Sequence, residues 1–172
     1  MLFLGPGYPG EMPLFTQGLA EVGARVMDLQ EPTNKMSTTG GTPQGTLLVL
    51  DDPKTVTKKV KSAVTDSGSD VRYDPEEKPG ISNLIELVTV ITGESIKDVE
   101  ARYDGSGYGR FKGDVADAIV ELLGPIQTRY RELRGDPAEL QRLLQMGAEK
   151  ARASSAPTLA LMYERMGFVA RP

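Results

Sequence analysis

Cysteine and histidine are both absent from the 172-residue chain, and those two zeros exclude a good deal of chemistry. Without a thiol there is no disulfide and no thiolate nucleophile, and without either residue there is no zinc site of the usual Cys/His kind. Serine–histidine–aspartate and cysteine–histidine constellations are excluded for the same reason. Proton transfer near neutral pH would fall to Asp, Glu, Lys or Tyr. Long apolar runs are missing too. No stretch reaches about 18 apolar residues, so no membrane-spanning helix is expected. Residues 1–10 open with an apolar tetrapeptide but no basic flank, which does not read as a secretory signal, and the expected location is cytoplasmic. An excess of positive charge is also lacking: the formal net charge is −4. That argues against a surface coated in cations for nucleic acid, although a local basic stripe stays open.

What is present is the composition of a globular chain, 39% hydrophobic and 26% charged with a mean hydropathy of −0.29, enough for one ordinary domain. Texture divides it. Residues 1–46 are rich in Gly, Pro and Thr and read as loop, with one alternating segment, Ala24-Arg25-Val26-Met27-Asp28-Leu29, suited to a strand. From Asp51 the pattern turns helical. Asp52-Pro53 supplies a cap and a first-turn proline, followed by Val56, Val60, Ala63 and Val64 on one face. A second helix is expected over Ile81, Leu84, Ile85, Val88 and Ile91, closed by Gly93. Ser95 with Asp98 three residues on fits a capping box.

The strongest periodicity follows a glycine-rich turn: Phe111, Val115, Ile119, Leu122, Ile126, Tyr130, Leu133, a stripe expected to form the core. Pro125 lies inside it and predicts a kink; Gly135-Asp136-Pro137 predicts a stop and a new start, and Pro157 a kink or restart of the last helix. The sum is a helical bundle behind a loop-rich segment. Several features read as ordinary structure first. Lys54, Lys58, Lys59 and Lys61 suit the solvated face of a helix more than a track for a nucleic-acid backbone. Tyr103, Tyr108 and Tyr130 suit the core more than base stacking. Asp51-Asp52 and Glu76-Glu77 suit caps and turns, and Gly5, Gly7 and Gly10 make no dinucleotide fingerprint.

The segment Lys35-Met36-Ser37-Thr38-Thr39-Gly40-Gly41-Thr42-Pro43-Gln44-Gly45 has the parts of an anion-binding loop. Glycines let backbone N–H groups converge on a phosphate, hydroxyls donate further bonds, and Lys35 supplies a mobile positive charge.

With Asp28-Leu29-Gln30-Glu31-Pro32-Thr33-Asn34 before it, this loop resembles the lysine-methionine-serine signature of class I aminoacyl-tRNA synthetases in its tryptophanyl form. The resemblance continues in order through Asp51-Asp52-Pro53-Lys54, Lys58 to Asp66, Arg72-Tyr73-Asp74 and Lys78-Pro79-Gly80-Ile81-Ser82-Asn83-Leu84. It then takes in Gly105-Ser106-Gly107-Tyr108-Gly109, Pro125-Ile126-Gln127 and Gly147-Ala148-Glu149-Lys150-Ala151, so that it covers about residues 23–168. Two departures stand out. Thr38 and Thr39 replace the family's second lysine and serine, and the histidine- and glycine-containing first signature has no counterpart.

The resemblance to the tryptophanyl-tRNA synthetase family implies a mainly α fold. The C-terminal helical bundle of a class I synthetase would follow a remnant of the α/β nucleotide-binding domain, with residues 1–50 as the remnant and 51–172 as the helical, tRNA-binding part. It implies an ATP-dependent tryptophan–tRNA ligase, in truncated or split form, against the alternative of a non-catalytic tRNA- or protein-binding fragment. ATP with Mg2+, tryptophan and tRNA are the implied partners, together with a second copy or a separately encoded N-terminal half; no resident metal is implied. Lys35 is the implied catalytic residue, and Val26 (through its backbone), Lys35, Met36, Ser37, Thr38 and Thr39 the implied ATP contacts. An exposed apolar patch over residues 22–29 would mark where a separate half packs.

Overall fold

Asp52 starts the first helix, α1 (Pro53–Lys61), for the reason the sequence suggests. Its carboxylate accepts the N–H groups of Lys54 at 2.9 Å and Thr55 at 3.1 Å, two of the donors that a helix start leaves without partners. The Thr55 hydroxyl on the same carboxylate, more than any other contact, holds Asp52 below the ordinary carboxylate range. These features belong to a computed structural model that describes residues 25–168; the apolar start, the first glycines and Ala24 lie outside the described residues.

Next come α2 (Pro79–Thr92), α3 (Ile96–Tyr103), α4 (Gly107–Gly135) and α5 (Pro137–Met166). Gly93 ends α2 at φ 76°, a left-handed conformation that side-chain-bearing residues adopt at a cost. Ser95 and Asp98 form the expected capping box of α3. Among the described residues the architecture is mainly α, as the sequence predicts. The expected strand at 24–29 is reduced to one isolated antiparallel bridge, Met27 to Lys35. Both long helices run on through their prolines, Pro125 in α4 and Pro157 in α5.

The chain divides into two compact units inside α4, after Pro125. The first contains the core: Leu29 from the hairpin, Val56 and Val60 from α1, Ile81, Leu84 and Ile85 from α2, Val99 from α3, and Phe111 and Val115 from α4, each essentially inaccessible. Phe111 meets Tyr103 edge-on, ring centres 4.9 Å apart, an arrangement aromatic quadrupoles favour. The second unit, described by itself, comprises the end of α4 and α5, and no residue of α5 is buried.

This corrects the sequence reading of one continuous core stripe. Phe111, Val115 and Ile119 are buried, but Leu122 is 48%, Ile126 47% and Tyr130 43% exposed. Periodicity shows which residues share a face; it does not show how far along the helix that face is covered. Leu29 is likewise buried, while Val26 and Met27 are half-buried, and residues 22–24 lie outside the described ones.

Polar pins join the helices of the first unit. Lys59, read above as part of a solvated face, is buried instead and donates to Asp51 at 2.6 Å and to the Thr46 carbonyl at 2.8 Å. Lys78 donates to the Tyr108 hydroxyl at 2.9 Å and contacts Asp66 at 3.3 Å, and the Tyr108 hydroxyl donates to Asp66 at 2.7 Å. Burial pushes the Asp66 carboxyl up, but hydrogen bonds from Tyr108, the Gly68 N–H and Lys78 together outweigh it and hold the group below its ordinary range. Lys112 donates to the Ala63 carbonyl and the Thr65 hydroxyl, and burial lowers its pKa against a smaller opposing pull from Asp66.

The Tyr73 hydroxyl donates to Glu86 at 2.7 Å, and that bond, followed by burial, raises the phenol to about 12 from an ordinary 10.0. The protonated phenol is the form the fold holds, so its contribution is complete below about pH 10 and is lost as pH rises through about 12. Denaturant midpoints measured across that window should fall more steeply for the wild type than for Tyr73→Phe; parallel curves would show that the Glu86 bond does not titrate with folding.

Candidate anion-binding loop

The loop hangs from a short hairpin. The Asp28 N–H donates to the Asn34 carbonyl at 2.8 Å, and the Met36 N–H to the Val26 carbonyl at 3.0 Å. Asp28 is the pivot of the turn between them. Its Oδ1 accepts the N–H groups of Gln30 at 2.8 Å and Glu31 at 3.1 Å, the side-chain turn that aspartate forms readily. Past the turn, Asn34 Nδ2 donates to Glu31 Oε2 at 2.6 Å.

Residues 35–46 then close back on the hairpin. The Thr46 hydroxyl donates to the Ser37 carbonyl at 3.0 Å, the Leu47 N–H reaches the Met36 sulfur at 3.4 Å, and the Leu29 N–H donates to the Gly45 carbonyl at 2.9 Å. Gly45 allows this close approach, since a Cβ there would fall on the Asp28 carboxylate. Lys59, reaching the Thr46 carbonyl from α1, anchors the foot of the loop to the helical core. The foot is fixed and buried, and the tip around Thr38 to Thr42 is exposed.

A cavity of about 260 Å³ opens under the tip, lined by Asp28, Glu31, Asn34, Lys35, Ser37, Gly40, Gly41 and Thr42. At the tip, Ser37 Oγ accepts the N–H groups of Thr39 at 3.3 Å and Gly40 at 3.1 Å, and the Gly41 N–H donates to the Ser37 carbonyl at 3.2 Å. Successive N–H groups converging on one oxygen form the concavity in which an anion is bound. Here the serine hydroxyl oxygen occupies that focus, acting as acceptor where the sequence reading had it as donor.

Of the residues singled out from sequence, the structure brings Lys35 and Ser37 to this cavity. Thr38 and Thr39 stand on the exposed tip. Met36 packs against the core, leaving only its backbone on the hairpin. Val26 lines a separate small recess with Asn83 and Glu86. Sequence reasoning passed over Asp28, Glu31 and Asn34. The signal for Asp28 was there, an aspartate followed two residues on by a turn, but its carboxylate was not read as a structural acceptor. Asn83, 56 positions from the hairpin it touches, left no local signal.

With the geometry in place, comparison with known proteins identifies the class. The sequence profile of the tRNA synthetases class I (W and Y) matches residues 14–124, and the chain belongs to that family. Within it, the chain is 47% identical to tryptophan–tRNA ligase 2 of Streptomyces avermitilis, over 85% of its own length and 43% of that protein. It is 48% identical to the tryptophan–tRNA ligase of Bacillus anthracis, over 87% and 45%. Among solved structures, tryptophanyl-tRNA synthetase from Mycoplasma pneumoniae superposes with a TM-score of 0.78 at 28% identity, covering 87% of this chain and 45% of that one. The Campylobacter jejuni enzyme, complexed with ADP and tryptophan, gives 0.60 at 29% identity, covering 84% and 44%. The chain therefore spans less than half the length of the relatives it matches.

Proposed function

We propose that the chain forms the phosphate-loop and helical portion of an ATP-dependent tryptophan–tRNA ligase. The observation that carries this reading is a cavity lined by both Lys35 and Ser37, with the Thr39 and Gly40 N–H groups converging on the Ser37 hydroxyl oxygen, in a chain whose relatives are named for that activity. In the reaction, a tryptophan carboxylate oxygen attacks the α-phosphorus of ATP, the bond from that phosphorus to the departing pyrophosphate breaks, and the resulting adenylate then acylates tRNA. Negative charge builds on the departing pyrophosphate. In this reading Lys35 and the Thr39 and Gly40 N–H groups offset it, electrostatic work that preorganised donors do well. The Ser37 hydroxyl gives up the Thr39 and Gly40 N–H groups to a phosphate oxygen, and Thr38 and Thr39 add hydroxyls at the tip without adding charge. The Val26 and Met36 backbones set the hairpin edge against the nucleotide's other end.

Asp28 and Glu31 line the same cavity, and in this reading the nucleotide enters as its Mg2+ complex, the metal arriving with the substrate. Among the described residues no three acidic side chains gather as a metal site. The division we assign is a nucleotide-binding part over residues 1–50 and a tRNA-facing helical part over 51–172, in a cytoplasmic protein; among the described residues no helix is long and apolar enough to cross a membrane. The described residues supply one side of an ATP site, and the other side comes from the nucleotide-binding portion, with a second copy completing a homodimer.

Calorimetric titration of the chain with MgATP and with pyrophosphate tests the loop. Lys35→Ala should weaken both about tenfold, the equivalent of one charge-assisted contact of roughly 1.4 kcal/mol. Equal affinity in wild type and variant would remove Lys35 from the phosphate site. Tryptophan-dependent pyrophosphate–ATP exchange should appear when the N-terminal half of a related enzyme is supplied, and should fall with Lys35→Ala. Strong exchange by this chain alone would refute the need for that second wall.

A further inference from the structure

Met27 and Lys35 pair in the hairpin without bonding each other; the bonds on either side come from their neighbours. In such an antiparallel pair a residue's own N–H and C=O point to the opposite edge, toward the place of a next strand. The side chain of Asn83, from α2, stands there instead. The Met27 N–H donates to Asn83 Oδ1 at 3.0 Å, and Asn83 Nδ2 donates to the Met27 carbonyl at 3.0 Å. One carboxamide thus supplies the acceptor and the donor that a neighbouring strand would supply. Asn83 is buried, at 4% exposure, and Met27 is half-buried, so water competes for the pair only in part.

We infer that Asn83 is the positioning residue of the anion-binding loop. Through Met27 it fixes the height of the hairpin over α2, and with it Asp28 and Lys35, which line the cavity. The inference rests on the proposed nucleotide site but reaches beyond it, because Asn83 touches no part of that cavity and acts only through the backbone of Met27. Asparagine is specific here. Aspartate keeps the acceptor but loses the donor and turns a charged oxygen toward the Met27 carbonyl, and alanine loses both bonds. Either change leaves a half-buried backbone group of Met27 without its partner, a penalty that falls on the hairpin.

The test compares the wild type, Asn83→Asp, Asn83→Ala and a core control, Val115→Ala, which lowers global stability without touching Met27. Two measurements are made on each: amide hydrogen exchange at Met27, Asp28 and Met36, and MgATP affinity by calorimetry. In the wild type the Met27 amide should be as protected as core helix amides. In the Asn83 variants the three hairpin amides should exchange at least about tenfold faster relative to core amides, and MgATP affinity should fall about tenfold. Val115→Ala should change neither relative quantity. If the Asn83 variants lose no more affinity than Val115→Ala, or if hairpin exchange stays tied to core exchange, the inference is overturned. A wild-type Met27 amide that exchanges as fast as the exposed loop overturns it even if neither Asn83 variant folds. Should the wild type show no MgATP binding, the nucleotide reading fails by itself, while the exchange data still decide whether Asn83 holds the hairpin.

Discussion

Phe111→Ala should destabilise the chain by roughly 3–5 kcal/mol in chemical denaturation, the range for truncating a buried aromatic ring. Phe111 is fully buried and stacks edge-on against Tyr103, whose hydroxyl donates to Asp114 one turn along α4. Removing the ring forfeits its burial, leaves a cavity at the junction of α3 and α4, and removes the face against which Tyr103 is oriented. Ile126→Ala, on the same helical stripe but 47% exposed, is the informative comparison. It should cost under about 1 kcal/mol, because little area is returned to water. Equal losses at the two positions would mean that the stripe is buried along its whole length. A neutral Phe111→Ala would mean that α3 and α4 do not pack as described.

Gly45→Ala should cost about 2–3 kcal/mol and weaken nucleotide binding with it. A methyl group there falls on the Asp28 carboxylate, which is buried at 5% exposure and committed to the Gln30 and Glu31 N–H groups. Overpacking costs about 1–3 kcal/mol where surroundings can shift; a hydrogen-bonded buried carboxylate shifts less readily than an apolar side chain. Gly45 also has its carbonyl on the Leu29 N–H and its own N–H on Thr42, so displacing it opens the foot of the loop. The double variant Asp28→Ala with Gly45→Ala separates collision from loss of turn. If the clash dominates, the second change should recover part of what Gly45→Ala loses, giving a coupling of about 0.5–3 kcal/mol typical of touching residues. Strictly additive losses would show that the two groups do not meet.

Much of this molecule is determined by the sequence alone. Helix starts at Asp52 and Ser95, the stop at Gly93 and the restart at Pro137 are local matters: a carboxylate or hydroxyl reaches N–H groups two or three residues away, a glycine accepts a left-handed φ and a proline's ring fixes its own. The candidate anion-binding loop is legible for a similar reason, since Lys35, the threonines and the glycines lie within eleven consecutive positions. Family membership was legible because many short motifs recur in order. What tertiary structure alone decided is how those pieces are covered and joined. Leu122 and Ile126 have the same periodicity as Phe111, yet of the three only Phe111 is buried. Lys59 has the same charge as Lys54, Lys58 and Lys61, yet it alone turns inward to Asp51. Asn83 and Met27 meet across 56 positions, and no propensity or spacing encodes that contact. Burial and long-range polar pairing belong to the arrangement of elements in space, which a residue's sequence neighbours do not specify.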